Sequence, residues 1–197
     1  MQKQLRVLLL HGKFQDGEVF SARLKTAKKK LRRAVEPDFA VSFIAIDAPF
    51  ELPLRDGDEI AMRSWYDGSS ADDVDRTVKY ISDQVKAPLD GVLCFSQGTC
   101  VLVEMLMRKI EICASLKFVV CAGGLLPSSA LAALPVFDIP SLHYMSADDA
   151  VVDVKKSEAL ARCFESARLV YHRKRHVFPQ TAEHTAALCA FVKETLR

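Results

Sequence analysis

The sequence predicts an α/β fold of about six parallel strands with helices on both faces, a three-layer αβα sandwich. Three observations predict it. Short apolar runs alternate with helix-period segments from end to end, as in successive βαβ units. Residues 92–95 (Val92, Leu93, Cys94, Phe95) form an unbroken apolar run, as a strand does when both sheet faces are covered. No repeat, low-complexity tract or linker interrupts the alternation, and 197 residues suit one core rather than two. One domain over 1–197 is therefore expected.

Each element has its own warrant. Residues 6–10 are the first strand, ended by His11-Gly12. After a loop over 13–18, Phe20, Leu24, Ala27 and Leu31 recur on one face of a helix. Its other face carries Lys25, Lys28, Lys29, Lys30, Arg32 and Arg33, either an ordinary solvated face or a patch for anionic lipid or acyl-carrier phosphate. Residues 39–46 are the second strand, ending in Asp47-Ala48-Pro49. The connection over 50–70 is long for a compact domain. It holds Trp65 beside Tyr66, and reads as a loop over a pocket mouth or as a loop anchored by one aromatic.

Asp72, Asp73 and Asp75 suit a helix N-terminus, and Val74, Val78, Ile81 and Val85 form that helix's buried stripe. Pro88 precedes the third strand, 92–95, which runs into a helix that is apolar nearly all round from Val101 to Met107. Residues 116–121 are the fourth strand, ending at Gly123-Gly124, and 125–138 read as an apolar pocket wall or a short core helix. Residues 141–145 are the fifth strand. A helix over 155–165 buries Leu160, Cys163 and Phe164, and residues 169–172 begin the sixth strand. Pro179 suits the first turn of the last helix, where Leu188, Val192 and Leu196 share a face.

Composition narrows the function. A net charge of +2, with no zinc-finger or RNA-binding signature, does not argue for nucleic acid. Val7 to Leu10 is too short an apolar run for a signal peptide, and no membrane-length stretch follows. Six cysteines with no C-x-x-C pair read as reduced core thiols of a cytoplasmic protein, with neither a disulfide framework nor a zinc site. No G-x-G-x-x-G or P-loop follows the first strand, so dinucleotide and nucleotide binding lack their phosphate cradles. The fold alone leaves flavodoxin-like, Rossmann and α/β-hydrolase domains open.

The turn between the third strand and its helix reads Cys94-Phe95-Ser96-Gln97-Gly98, a G-x-S-x-G elbow with cysteine at the first glycine. A serine hydroxyl needs a neighbouring base, and that base a third group to fix its tautomer. Ser96 follows the third strand, Asp148-Asp149 the fifth and His176 the sixth, the order nucleophile, acid, base. Strand carboxyl ends share one edge of a parallel sheet, so the three can converge. Of the other histidines, His11 precedes the serine, His143 and His172 lie within strands and His184 on the last helix. Asp149 is favoured because Ala150-Val151-Val152 continues it as a D-x-h-V pattern; Asp148 stays open. The backbone N–H groups of Gln97 and of Lys13, after His11-Gly12, are the expected oxyanion donors, with no demand on either side chain. Cys94 as the nucleophile has no neighbour to activate it.

Together, Leu9-Leu10-His11-Gly12, Gln15-Asp16-Gly17 with Phe20, Asp47-Ala48-Pro49, Asp90-Gly91-Val92-Leu93, Phe95-Ser96-Gln97-Gly98, the loop 146–152 and His176 before Pro179 resemble the FSH-type serine hydrolases of the α/β-hydrolase superfamily. The resemblance covers nearly the whole chain. It implies a minimal α/β-hydrolase fold and a cytoplasmic esterase or thioesterase acting on small acyl substrates without metal or cofactor. It places Ser96 as nucleophile, Asp149 as acid and His176 as base. Two departures stand out: Cys94 in the elbow, and Lys174 and Arg175 where this family tends to have glycines. A non-catalytic acyl-binding or interaction protein and an acyltransferase are the alternatives; oligomeric state and acyl-chain length are not legible.

Overall fold

The computed structural model describes residues 2–54, 62–67, 70 and 72–197. Six strands form one parallel sheet: β1 (Lys3–Leu10), β2 (Phe39–Ala45), β5 (Gly91–Phe95), β6 (Phe118–Ala122), β7 (Ser141–Ser146) and β8 (Ala167–His172). Their order across the sheet is β2-β1-β5-β6-β7-β8, every neighbouring pair parallel. The chain reverses its direction of travel between β1 and β5, so the loops leaving those two strands flank the switch point, where open parallel sheets place their ligands. A two-residue hairpin, β3 (Phe50–Glu51) with β4 (Arg63–Ser64), stands apart from the main sheet. The expected α/β-hydrolase architecture is the one observed.

Alternation along the strands sorts the core into two layers. Leu8, Leu10, Val92, Cys94, Val119 and Cys121 face α3 (Asp73–Gln84), α4 (Gln97–Met107) and α5 (Val154–Ala161). Leu5, Leu9, Leu93, Phe95, Val120 and Tyr144 face α1 (Gly17–Arg23), α2 (Lys25–Val35) and α6 (Ala182–Thr195). Strands β5 and β6 are buried throughout, which is why they read as unbroken apolar runs. Removing a side chain such as Phe20 from water stabilises the fold by about 2–3 kcal/mol.

Several boundaries differ from expectation. The first strand starts at Lys3, whose N–H donates to Asp38 O, although its outer end alternates with exposed polar residues. The first helix starts at Gly17, because the Asp16 carboxylate accepts from Val19 N at 2.6 Å and caps it. It breaks at Leu24 before α2, yet Phe20, Leu24, Ala27 and Leu31 remain one buried face. The cations of α2 point outward, and the Arg32 guanidinium lies 5.0 Å from the Phe43 ring centroid.

Pro179 is not in the last helix. Thr181 caps α6 by accepting from His184 N, so the proline lies in the lead-in. The helix expected over 155–165 ends at Ala161, because Cys163 and Glu165 pair with Phe137 instead. The segment 125–138 contains one 3₁₀ turn, Ser128–Ala130; Ala130 is buried while Leu131, Leu134 and Val136 are exposed.

Candidate active site

The elbow forms despite Cys94. Ser96 sits at φ 51°, ψ −121°, a backbone that side chains rarely adopt, between the end of β5 and the first turn of α4. Its N–H donates to Ala122 O at 3.0 Å, and its carbonyl accepts from the Thr99 N–H (2.9 Å) and hydroxyl (2.7 Å). Gly98 is required by close approach: a Cβ there would lie 2.4 Å from Leu10 O. Gly12 is required likewise, with a Cβ 2.8 Å from the Phe95 ring and 3.2 Å from Ser96 Cβ. Cys94, two residues before the serine, is wholly buried; its thiol approaches Val120 O at 3.3 Å and the Cys121 sulfur at 3.5 Å. Burial pushes that thiol well above its ordinary pKa, the opposite of what a nucleophile needs.

The structure brings Ser96, His176 and Asp149 together. His176 Nε2 lies 2.9 Å from Ser96 Oγ, and its Nδ1 lies 2.6 Å from Asp149 Oδ2. A carboxylate only accepts, so Nδ1 carries the proton and Nε2 offers its lone pair to the serine hydroxyl. The other Asp149 oxygen accepts from Val151 N at 2.8 Å and Val152 N at 2.9 Å, which fixes the carboxylate in its own loop. Asp148 is exposed and its backbone N–H goes to Ser146 Oγ, so of the two aspartates it is Asp149 that meets the imidazole. The Asp149 side chain is 2% exposed and that of His176 16%, so the pair is shielded while the ring stays reachable. The Phe95 ring supports the imidazole at 4.7 Å between centroids.

Gly123 completes this corner and was not singled out from sequence beyond ending a strand. It has φ +52°, and a Cβ on it would stand 2.9 Å from His176 Cε1. The signal was a Gly-Gly pair at the carboxyl end of a buried strand.

The other histidines serve the fold. His11 is fully buried; its Nδ1 donates to Gly12 O at 2.7 Å and its Nε2 accepts from Ala48 N at 3.0 Å, which fixes a neutral ring. Burial lowers its pKa. His143 is held beside Ser141 Oγ and Phe164, and burial lowers it to about 4.

The expected oxyanion donors lie beside the close approaches at Gly12 and Gly98. Gln97 is the first residue of α4, and the 12–13 segment abuts Ser96 through Gly12. Among the described residues no backbone or side-chain acceptor takes the N–H of Lys13 or Gln97. The Gln97 side chain, expected to be indifferent, is not. Its oxygen accepts from Trp65 N at 3.0 Å and its nitrogen donates to Tyr66 O at 2.7 Å, clamping residues 64–66 onto the elbow helix. Arg63 was also missed. Its backbone pairs with Phe14 N and Gln15 O, and its guanidinium reaches Ala48 O, Glu51 and Asp47, so it holds the 13–15 turn against the hairpin.

Trp65 itself fits the anchored-loop reading of the 50–70 connection. It is 0% exposed, its Nε1 donates to His11 O at 2.7 Å, and its ring lies 4.8 Å from that of His11, so it anchors the loop from beneath. Residues 55–61 and 68–69 of the expected lid lie outside the described residues. Tyr66 and Ser70 do line a cleft of about 300 Å³ with Val101, Glu104, Pro127 and Ser128. A second cleft of about 330 Å³ adjoins Phe95 and the residues after His176. Among the described residues no cluster of three metal-ligating side chains occurs, and no helix is long and apolar enough to cross a membrane. All six cysteines are free thiols.

Comparison with known proteins identifies the family. A family described as "Serine hydrolase (FSH1)" matches residues 1–188. An esterase of Caenorhabditis elegans, C25G4.2, is 26% identical over 99% of this chain and 96% of its own length. The esterase OVCA2 of Danio rerio is 26% identical over 96% of each. Among solved structures, an acyl-protein thioesterase 2 of Zea mays superposes with TM-score 0.68 at 19% identity, covering 100% of this chain and 96% of that one. SOBER1 of Arabidopsis thaliana gives 0.67 at 16%, covering 99% and 100%. At such identities the structures speak for the fold alone, whereas the family match spans nearly the whole chain. The chain belongs to the FSH1 serine hydrolase family.

Proposed function

We propose that this protein hydrolyses carboxylic esters or thioesters of small acyl substrates through an acyl-enzyme intermediate. Ser96 is the nucleophile, His176 the base and Asp149 the acid. The observation that carries the reading is the unbroken run of hydrogen bonds from Asp149 through His176 to the Ser96 hydroxyl.

The chemistry follows from those contacts. His176 Nε2 takes the proton as Ser96 Oγ attacks the acyl carbon, and Asp149 stabilises the imidazolium without taking a proton itself. The tetrahedral oxyanion is met by the backbone N–H groups of Gln97 and Lys13, the former at the positive end of α4. Losing one such donor typically costs about a hundred- to a thousandfold in rate. His176 then hands its proton to the departing oxygen or sulfur, and water repeats the sequence on the acyl-serine. Nothing in this scheme calls for a cofactor. The free cysteines suit a reducing, cytoplasmic compartment.

Ser96→Ala tests the assignment. Labelling by a fluorophosphonate probe should vanish and kcat should fall on the order of 10⁶-fold, with the fold intact by circular dichroism. Labelling that persists at another residue would remove Ser96 from its role.

A further inference from the structure

The cleft beside the triad has a chemical polarity of its own. It holds about 330 Å³, and Phe20, Phe95, Val177 and Phe178 give it an apolar wall. Its polar members are Gln15, Gln180 and Arg23. The Gln15 carboxamide oxygen is taken by Gly12 N–H at 3.2 Å, and that of Gln180 by Ala27 N–H at 3.4 Å, a helix-terminal donor that dictates the amide's orientation. Each oxygen keeps a second lone pair, but the buried Gln180 Nε2 has no acceptor among the described residues, so an unpaired donor is left beside the Arg23 guanidinium. Arg63, Arg76, Arg108 and Arg168 pair with carboxylates, whereas Arg32 and Arg33, which do not line the cleft, share with Arg23 the lack of an ion pair among the described residues. Among the described residues no ion pair involves Arg23, nor Arg173, Lys174 or Arg175, which are exposed at the head of the loop carrying Val177 and Phe178.

Position along the reaction path says which half of a substrate enters. His176 must protonate the departing atom, so the leaving group exits on the imidazole's side. The cleft lies on that side: Phe95 packs against the imidazole, and residues 177 and 178 directly follow it.

We propose that this cleft receives an anionic leaving group, an alcohol or thiol bearing a carboxylate or phosphate, and that Arg23 is the specificity-determining residue that holds the charge. The inference rests on the hydrolase reading of Ser96 and His176 and names the substrate class of that site. An apolar stretch of the leaving group lies against Phe95 and Phe178, and its anion meets Arg23 at the cleft's edge.

The test compares three thioesters sharing one short acyl chain, releasing coenzyme A, mercaptopropionate or uncharged mercaptoethanol. Arg23→Gln should lower kcat/KM for the charged thioesters about three- to fivefold more than for the uncharged one, chiefly through KM, as an exposed charge-assisted contact warrants. Arg33→Gln, outside the cleft, should not alter the ratio. Selective loss with coenzyme A alone would identify phosphate as the preferred anion, and loss with both would identify any anion. An unchanged ratio in Arg23→Gln overturns the proposal. Calorimetry on the Ser96→Ala protein with the matching non-cleavable thioethers keeps this apart from catalysis. Charge-selective binding that Arg23→Gln removes supports the cleft even if the wild-type protein turns over none of the esters, the result that would instead sink the hydrolase reading. Equal binding of charged and uncharged thioethers overturns the cleft's role.

Discussion

The turn after β5 and the loop after β8 each hold a non-glycine residue in left-handed backbone, Ser96 at φ 51° and Arg175 at φ 56°. Around Ser96 the strain is enforced from every side. Its amide and carbonyl are both bonded, and Gly12 and Gly98 let two backbones close on it without room for a Cβ. Around Arg175 little encloses the residue; its side chain is exposed, and the loop is held at its ends by Lys174 N to His172 Nδ1 at 3.1 Å and by the bonds of His176. A conformation costing about 1–3 kcal/mol persists where packing over-determines it. Packing therefore enforces the strain of the elbow from all sides, whereas that of the histidine loop is held only at the loop's ends.

The sharpest way to separate the two is Ser96→Gly. Glycine accepts this backbone freely, so the strain is relieved, partly offset by about 0.5–1 kcal/mol of extra chain entropy. We expect kcat to fall on the order of 10⁶-fold while stability to urea rises by about 1 kcal/mol. A loss of stability in equilibrium unfolding would mean the serine is not strained in its turn.

How far these regions could be read beforehand differs in the same way. Ser96, Asp149 and His176 were legible because each follows a short apolar run, and carboxyl ends of parallel strands meet at one edge. The choice of Asp149 over Asp148 rested on the apolar pair after it, and the structure supplies the reason: Val151 and Val152 offer their N–H groups to its carboxylate. What escaped notice works through contacts with no local pattern. Gln97 clamps Trp65 and Tyr66 across more than thirty residues, Arg63 pins the 13–15 turn, and Gly123 makes room for an imidazole from 53 positions on. Trp65 allowed two readings, lid or anchor, because its sequence neighbours do not reveal the buried carbonyl that its indole N–H satisfies. The last helix was begun too early at Pro179 because proline is favoured in a first turn, but Thr181 supplies the capping oxygen.

Acid should distinguish the two regions by a smaller margin. His172 Nδ1 accepts from Lys174 N, so this bond needs the neutral ring. Burial lowers the His172 pKa, the nearby His184 adds to this, and Asp149 opposes it. A base whose pKa is lower in the folded state contributes stability that is complete above the ordinary histidine value and is lost as pH falls below it. Protonation frees Lys174 and loosens the histidine loop, while the bonds of the elbow's backbone, Ser96 N to Ala122 O and Thr99 to Ser96 O, involve no titrating side chain. Between pH 7.5 and 5, amide protection factors, corrected for the intrinsic pH dependence of exchange, should fall at residues 173–178 before they do at 96–101. His172→Asn, which keeps an acceptor that does not titrate, should reduce that loss of protection about severalfold. Equal loss of protection in both segments would contradict the distinction.

The smallest effect is expected at Arg175. Glycine there removes a left-handed cost of about 1–2 kcal/mol and adds about 0.5–1 kcal/mol of chain entropy to be lost on folding. Arg175→Gly should thus leave thermal stability equal or higher by less than about 1 kcal/mol, with fluorophosphonate labelling retained. A clear loss of both stability and labelling would show that the guanidinium holds the loop through contacts of its own. The two left-handed residues would then be equally built in, and the contrast between an enclosed turn and an open loop would collapse.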